Sequence, residues 1–206
     1  MRNYYIVFFL FLLSTISYSQ VKGDLEVGIG IGYNMATINE PDDFNDVYSN
    51  NNKNFSVSAD YNFSNRWSLK TKLIYDTKGW DQGPLYFRGG RLRGANVDLH
   101  YLTVPLMLNW HFGGKRNWYL NFGTYAGYLM AAGEKTSNAD ITEAFRKTDF
   151  GLTFGIGAKI PVTKYFKIYI EYDFQNSFNS IYKDSTIPEV RNIRSAINVG
   201  VNFLVL

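Results

Sequence analysis

Between Asp149 and Gln175 every second residue is apolar, and the residues between them are of a kind that water-facing strands rarely carry. Phe150, Leu152, Phe154, Ile156, Ala158 and Ile160 alternate with Asp149, Gly151, Thr153, Gly155, Gly157 and Lys159. After Pro161-Val162-Thr163-Lys164, Phe166, Ile168, Ile170, Tyr172 and Phe174 alternate with Lys167, Tyr169, Glu171, Asp173 and Gln175. A period of two is a strand with one apolar face, and two such runs with a short connection form a β-hairpin. Glycine on a solvated face weakens a strand and gains nothing. Mixed with charges of both signs, it marks a face that is polar and crowded, as the lumen of a narrow barrel is. The large apolar side chains are then free to meet lipid.

The pattern recurs along the chain. Leu25, Val27, Ile29, Ile31 and Tyr33 alternate with Glu26, Gly28, Gly30, Gly32 and Asn34. Further runs cover 55–63, 67–78, 98–112, 118–130 and 193–203, which with the opening hairpin gives eight strands. Two residues depart from the rule: Ile74 is an apolar exception on a polar face, and Pro105 must lack a ladder donor or sit at a bulge. The polar stretches 38–53, 79–96, 133–147 and 179–192 read as long loops, and they alternate with short turns at 64–66, 113–117 and 161–164. Short periplasmic turns and longer outer loops give this order in an outer-membrane barrel. Phe63, Trp67, Trp110, Phe112, Trp118, Tyr165 and Phe166 flank the short turns, as an interfacial aromatic girdle does. The expected fold is therefore all-β: an eight-stranded antiparallel up-and-down transmembrane β-barrel.

Composition narrows the function classes. No stretch reaches the apolar length of a membrane helix, so a helical membrane protein is excluded. The absence of cysteine removes disulfide, thiolate-metal and thiol-nucleophile chemistry, and a net charge of +3 makes no case for nucleic acid. At the N-terminus, Arg2, the apolar run Ile6 to Leu13 and Ser17-Tyr18-Ser19 have the order of an export signal. Residues 1–19 are expected to be removed, leaving a barrel domain over 20–206 that starts at Gln20.

Motifs for catalysis are thin. Gly28-Ile29-Gly30-Ile31-Gly32 lies inside an alternating strand with no helix after it, which makes it barrel wall rather than a nucleotide loop. His100 and His111 lie on one strand with opposite parity and cannot share a site on one face. Asp42-Asp43-Phe44-Asn45-Asp46 lacks the spaced oxygens and glycine of a calcium loop. No catalytic, cofactor or metal residue is assigned. Two groups of candidate residues remain. Glu26, Asp60, Lys70, Lys72, Lys159, Lys167, Glu171, Asp173 and Arg194 all point inward and are expected to pair as a lumen charge network, because unpaired buried charge is costly. Arg88, Arg91 and Arg93 form the one concentrated basic patch, placed on an outer loop where guanidinium groups could meet lipopolysaccharide phosphates.

Tyr101-Leu102-Thr103-Val104-Pro105-Leu106-Met107-Leu108, Asn121 to Leu129, Asp149-Phe150-Gly151 and Gly155-Ile156-Gly157 together resemble the PorT-type outer-membrane β-barrel domain common in Bacteroidota. The resemblance covers the mature chain and implies an outer-membrane location. Some members of that family serve protein secretion, and no catalytic residues are attached to the motif. The expected role is structural or interactive, with outer-membrane lipid, lipopolysaccharide and periplasmic or secretion proteins as partners. An outer-leaflet lipid-modifying enzyme and a small-solute pore are the alternatives.

Overall fold

The computed structural model describes residues 22–39 and 47–205. The expected export signal and the acidic loop at 42–46 lie outside the described residues. Eight long strands carry the fold: β1 (Leu25–Asn39), β2 (Tyr48–Tyr61), β3 (Trp67–Phe87), β4 (Gly90–Phe112), β5 (Trp118–Glu134), β7 (Thr148–Pro161), β8 (Phe166–Ser177) and β9 (Arg191–Leu204). A two-residue strand β6 (Ala139–Asp140) and a 3-10 turn (Thr142–Ala144) lie between β5 and β7.

Every long strand pairs antiparallel with its neighbours in sequence, and β9 pairs with β1, so the sheet closes on itself. Stepping once round the ring from Leu25 through Tyr61, Leu69, Leu108, Phe122, Phe154, Phe174 and Ser195 returns to β1 at Met35, ten residues further on. Eight strands closed with such a stagger tilt by roughly 35–45° and leave an interior that side chains can fill. Closure also removes every sheet edge, which a lipid-facing sheet requires because hydrocarbon satisfies no backbone group.

Burial is inverted relative to a water-soluble barrel. Ile29, Ile31, Phe154 and Ile170 are about half exposed on the outer wall, whereas Glu26, Lys70, Lys72, Lys159 and Glu171 are buried within. The outer wall is thus a hydrocarbon-facing surface and the interior is polar. Ile74 does lie inside, as the alternation requires. Pro105 also points inward, and the β3–β4 ladder breaks between Thr71–Leu106 and Ile74–Thr103, where the proline has no N–H to give. Its carbonyl accepts from Thr71 Oγ1 at 2.9 Å.

The structure corrects two of the expected long loops. The stretch 79–96 is mostly strand: β3 and β4 run on to a tight turn at Arg88-Gly89 and form one long hairpin beyond the barrel wall. Much of 38–53 is also strand, because β1 continues to Asn39 and β2 begins at Tyr48. Outside the bilayer the lipid-versus-lumen alternation no longer applies, so breakers such as Gly79, Gly83 and Pro84 dominate the sequence signal. The chain absorbs them in register shifts between Trp80 and Leu85, with Gly79 (φ 122°) and Gln82 (φ 56°) in left-handed geometry. A further bulge opposite His100 and Tyr101 inverts the parity of β5, so that Leu129 and then Ala132 point inward.

The apolar core sits at the mouth opposite the short turns. Trp80, Val97, Leu99, Leu129, Phe145, Ile181, Tyr182 and Val190 are all buried there in one cluster. Phe145 and Tyr182 stack at 5.0 Å, Tyr182 meets Tyr86 edge-on at 5.8 Å, and Trp80 meets Phe145 at 6.3 Å. Backbone bonds from Arg146 to Ile181 (2.7 Å) and from Lys183 to Ala144 (3.1 Å) tie the two loops together. The extended hairpin and these loops form a cap over the lumen.

Candidate functional site

Inside the wall, six carboxylates (Glu26, Asp60, Asp76, Asp149, Glu171, Asp173) face six cations (Lys70, Lys72, Lys78, Lys159, Lys167, Arg194), all buried. They sort into three clusters along the barrel. Nearest the short turns, Lys159 Nζ lies 2.6 Å from Glu26 Oε2 and 2.7 Å from Asp60 Oδ2, while Lys167 pairs with the other oxygen of Glu26. Asn202 and Asn109 donate to the same carboxylates at 3.1 and 3.2 Å.

At mid-height Glu171 takes Lys70 at 2.5 Å and Lys72 on its other oxygen. Tyr119 OH and Asn121 Nδ2 donate to Glu171 as well, at 2.7 and 3.0 Å. Lys72 also reaches Asp173 at 3.4 Å, and Asp173 accepts from Arg194 Nη1 at 2.6 Å and from Asn198 at 2.8 Å. Arg194 Nε then lies 2.7 Å from Asp76 Oδ2, so six charges run as one chain. Under the cap, Lys78 Nζ donates to Asp149 Oδ2 at 2.9 Å, beside Ser177, Tyr125 and Asn192 on the same carboxylate.

Each cluster carries as many positive as negative charges. That balance is what permits so many ions among buried side chains, since each desolvated charge has an ionic partner. Among the described residues, Asp60 Oδ1 and Arg194 Nη2 have no hydrogen-bond partner besides.

Glycine makes room for this filling. Tyr119 stands directly opposite Gly157, Tyr125 opposite Gly151 and Tyr169 opposite Gly200 in the strand registers. A Cβ at any of these glycines would run into the facing tyrosine ring. The rings lie flat across the neighbouring strand and present their hydroxyls or faces to the ions. Lys78 Nζ sits 4.4 Å from the Tyr125 centroid and Lys70 Nζ 4.8 Å from that of Tyr119.

All nine residues expected in the lumen lie inside the ring, and each has at least one ionic partner there. Asp76, Lys78 and Asp149 belong to the same system but were not among the nine. The inward parity of each was visible in the alternation; what the sequence did not carry was which charge meets which across the barrel.

His111 is buried and bonded to Ser68 at 2.9 Å, whereas His100 lies on the other face of β4 against Thr77 at 3.0 Å. The two imidazoles therefore do not meet. Among the described residues no group of acidic and histidine side chains is placed to hold a metal ion.

Arg88, Arg91 and Arg93 lie exposed at the tip of the β3–β4 hairpin, close to the exposed Phe87 and Leu92. Arg93 also lines a cleft of about 480 Å³ with Tyr48, Gln82, Pro84 and Asn96. A larger groove, about 510 Å³, lies on the outer wall, where Ala59 and Thr71 sit among Val27, Ile29, Leu73 and Phe203, with Ser58 and Lys72 also in its lining. It is a dent in a lipid-facing surface.

At the end of β5, Glu134 accepts from the backbone N–H and hydroxyl of Ser137 (2.7 and 2.6 Å), and from the backbone of Thr136 and Asn96. Those bonds, led by Ser137, hold its carboxyl down at about 2.

Comparison with known proteins agrees with this architecture. The structure resembles that of the outer membrane protein OprG from Pseudomonas aeruginosa, with a TM-score of 0.54 at 11% identity over 90% of this chain and 97% of that one. It also resembles Neisserial surface protein A, with a TM-score of 0.53 at 14% identity over 86% and 96% of the two chains. At such identities the likeness is one of fold. No curated protein matches the sequence at a significant level. A family model does match, over residues 18–183, and that span takes in seven of the eight wall strands with their polar inner and apolar outer faces. With a closed ring, an inverted distribution of polarity and that match, the chain belongs to the outer membrane protein beta-barrel domain family.

Proposed function

We propose that this protein is a non-conducting interaction protein of the outer membrane, in which the barrel serves as anchor and recognition takes place at its exposed ends. The observation that carries this reading is the filled interior. Three charge-balanced clusters occupy the lumen, and an apolar cap closes its outer mouth. Such an interior offers no continuous route to a solute and no cleft in which a substrate could meet the buried acids.

On this reading the hairpin tip meets lipopolysaccharide. Arg88, Arg91 and Arg93 offer bidentate pairing to phosphate, and the neighbouring Phe87 and Leu92 offer apolar contact. The resemblance of Tyr101–Leu108 and its companion segments to the PorT type supports an accessory role in protein secretion or envelope assembly, with periplasmic or secretion-system proteins as partners. Export uses the signal at 1–19, giving a mature N-terminus at Gln20.

The test is electrical. Purified wild-type protein in planar bilayers is expected to give no stable single-channel currents. Large, persistent currents would overturn the reading and promote the pore.

A further inference from the structure

The short-turn end of the barrel has a charge pattern that neither the lumen nor the outer loops share. Arg66 lies in the turn between β2 and β3, Lys115 and Arg116 in that between β4 and β5, and Lys164 in that between β7 and β8. Lys22, which precedes β1, adds a cation at the first of these turns, where its backbone N–H donates to Asn65 Oδ1 at 3.3 Å. Asp24 is the one acidic side chain at this rim among the described residues. At the opposite end, beyond the arginines of the hairpin tip, acids and bases are mixed: Lys135 lies 2.8 Å from Asp81, Lys183 2.9 Å from Glu143 and Arg191 2.7 Å from Glu189.

Placement matters as much as sign. Because the strands follow one another round the ring in sequence order, the three turns lie at three separate places round the circumference. The cations therefore form a collar and not a patch. An aromatic collar lies immediately against it, with Trp67, Trp118 and Tyr165 exposed on the outer wall beside the cations of their own turns. Lys164 Nζ is 5.5 Å from the Tyr165 ring centroid. Trp and Tyr rings settle at the boundary between hydrocarbon and headgroups, so cations one to three residues beyond them lie at the depth of the lipid phosphates. A folded protein partner would engage one side of the rim. Cations at three separated places round the rim, at headgroup depth, match the ring of lipids around the barrel.

We propose that this rim is a binding collar for anionic phospholipid headgroups in the periplasmic leaflet, selecting net-negative lipids over zwitterionic ones. Through it the barrel would be held at a fixed depth by the leaflet opposite the one its outer hairpin faces. The inference is independent of what the outer end recognises, and the two can fail separately.

Native mass spectrometry of the folded, detergent-solubilised protein with equal amounts of phosphatidylglycerol and phosphatidylethanolamine tests it. Wild-type protein should retain phosphatidylglycerol several-fold more, and high salt should erase the preference because exposed charges are screened. Combining Lys22→Gln, Arg66→Gln and Lys164→Gln should bring the two lipids to parity while heat-dependent gel migration shows the barrel still closed. Lys53→Gln with Lys183→Gln, both at the other end, should leave the preference intact. Equal retention of the two lipids by the wild type would overturn the proposal without need of any variant. So would an unchanged preference in the triple variant, or displacement of the lipid by inorganic phosphate at the same concentration.

Discussion

Glu171 shows how much one side chain can be asked to hold. It is fully enclosed and satisfies Lys70, Lys72, Tyr119 and Asn121 at once. Removing its charge leaves the buried Lys70 without its anionic partner and Lys72 with Asp173 alone, whereas removing one ammonium leaves Glu171 with the other. Glu171→Gln is therefore expected to destabilise the barrel by about 3–5 kcal/mol and Lys70→Gln by clearly less, read from urea unfolding in lipid vesicles. Gly157 is critical for the opposite reason, because it has no side chain. A valine there collides with the Tyr119 ring, and displacing that ring takes its hydroxyl from Glu171. Gly157→Val should cost about 1–3 kcal/mol in the same assay, with Tyr119→Ala recovering part of the loss in the double variant. A purely additive double variant would show that ring and glycine are not coupled.

At the scale of elements, the strands divide into a lipid-spanning part with strict alternation and an outer part that follows other rules. The end of β5 belongs to the outer part, and Glu134 organises it by gathering the N–H groups of Asn96, Thr136 and Ser137. Its carboxyl is depressed in the folded state, so its contribution is fully present above the ordinary carboxylate range and lost as the pH falls from about 4 toward the folded value near 2. Protection of the Thr136 and Ser137 amides relative to their intrinsic exchange should fall over that interval, and Glu134→Gln should show the lower protection already at neutral pH. Equal protection in wild type and variant at neutral pH would remove Glu134 from this role. The periodicity made the spanning segments legible, with Pro105 breaking its ladder and Ile74 keeping its inward place. It did not make the long hairpin legible, because Gly79, Gly83 and Pro84 read locally as loop and only pairing with 90–97 keeps that segment extended.

For the whole molecule, the chain has no cysteine, so single cysteines report sidedness directly. Arg91→Cys and Lys183→Cys are expected to react with an impermeant maleimide on whole cells, whereas Asn65→Cys and Thr163→Cys should react only after the envelope is opened. The reverse pattern would invert the orientation. Sequence by itself determined the eight strands, the face each turns to lipid and the inward position of nine of the twelve charges in the lumen. It could do so because a wall between hydrocarbon and a polar interior imposes a period of two on each strand separately. Tertiary structure alone decided which charges pair, that each cluster is balanced, that Tyr119, Tyr125 and Tyr169 each lie over a glycine and that the mouth opposite the short turns is capped. Lys159 meets Glu26 and Asp60, and Lys70 meets Glu171, across the width of the barrel. Such partners are fixed by ring closure and its ten-residue stagger, a property of all eight strands together that no local pattern contains.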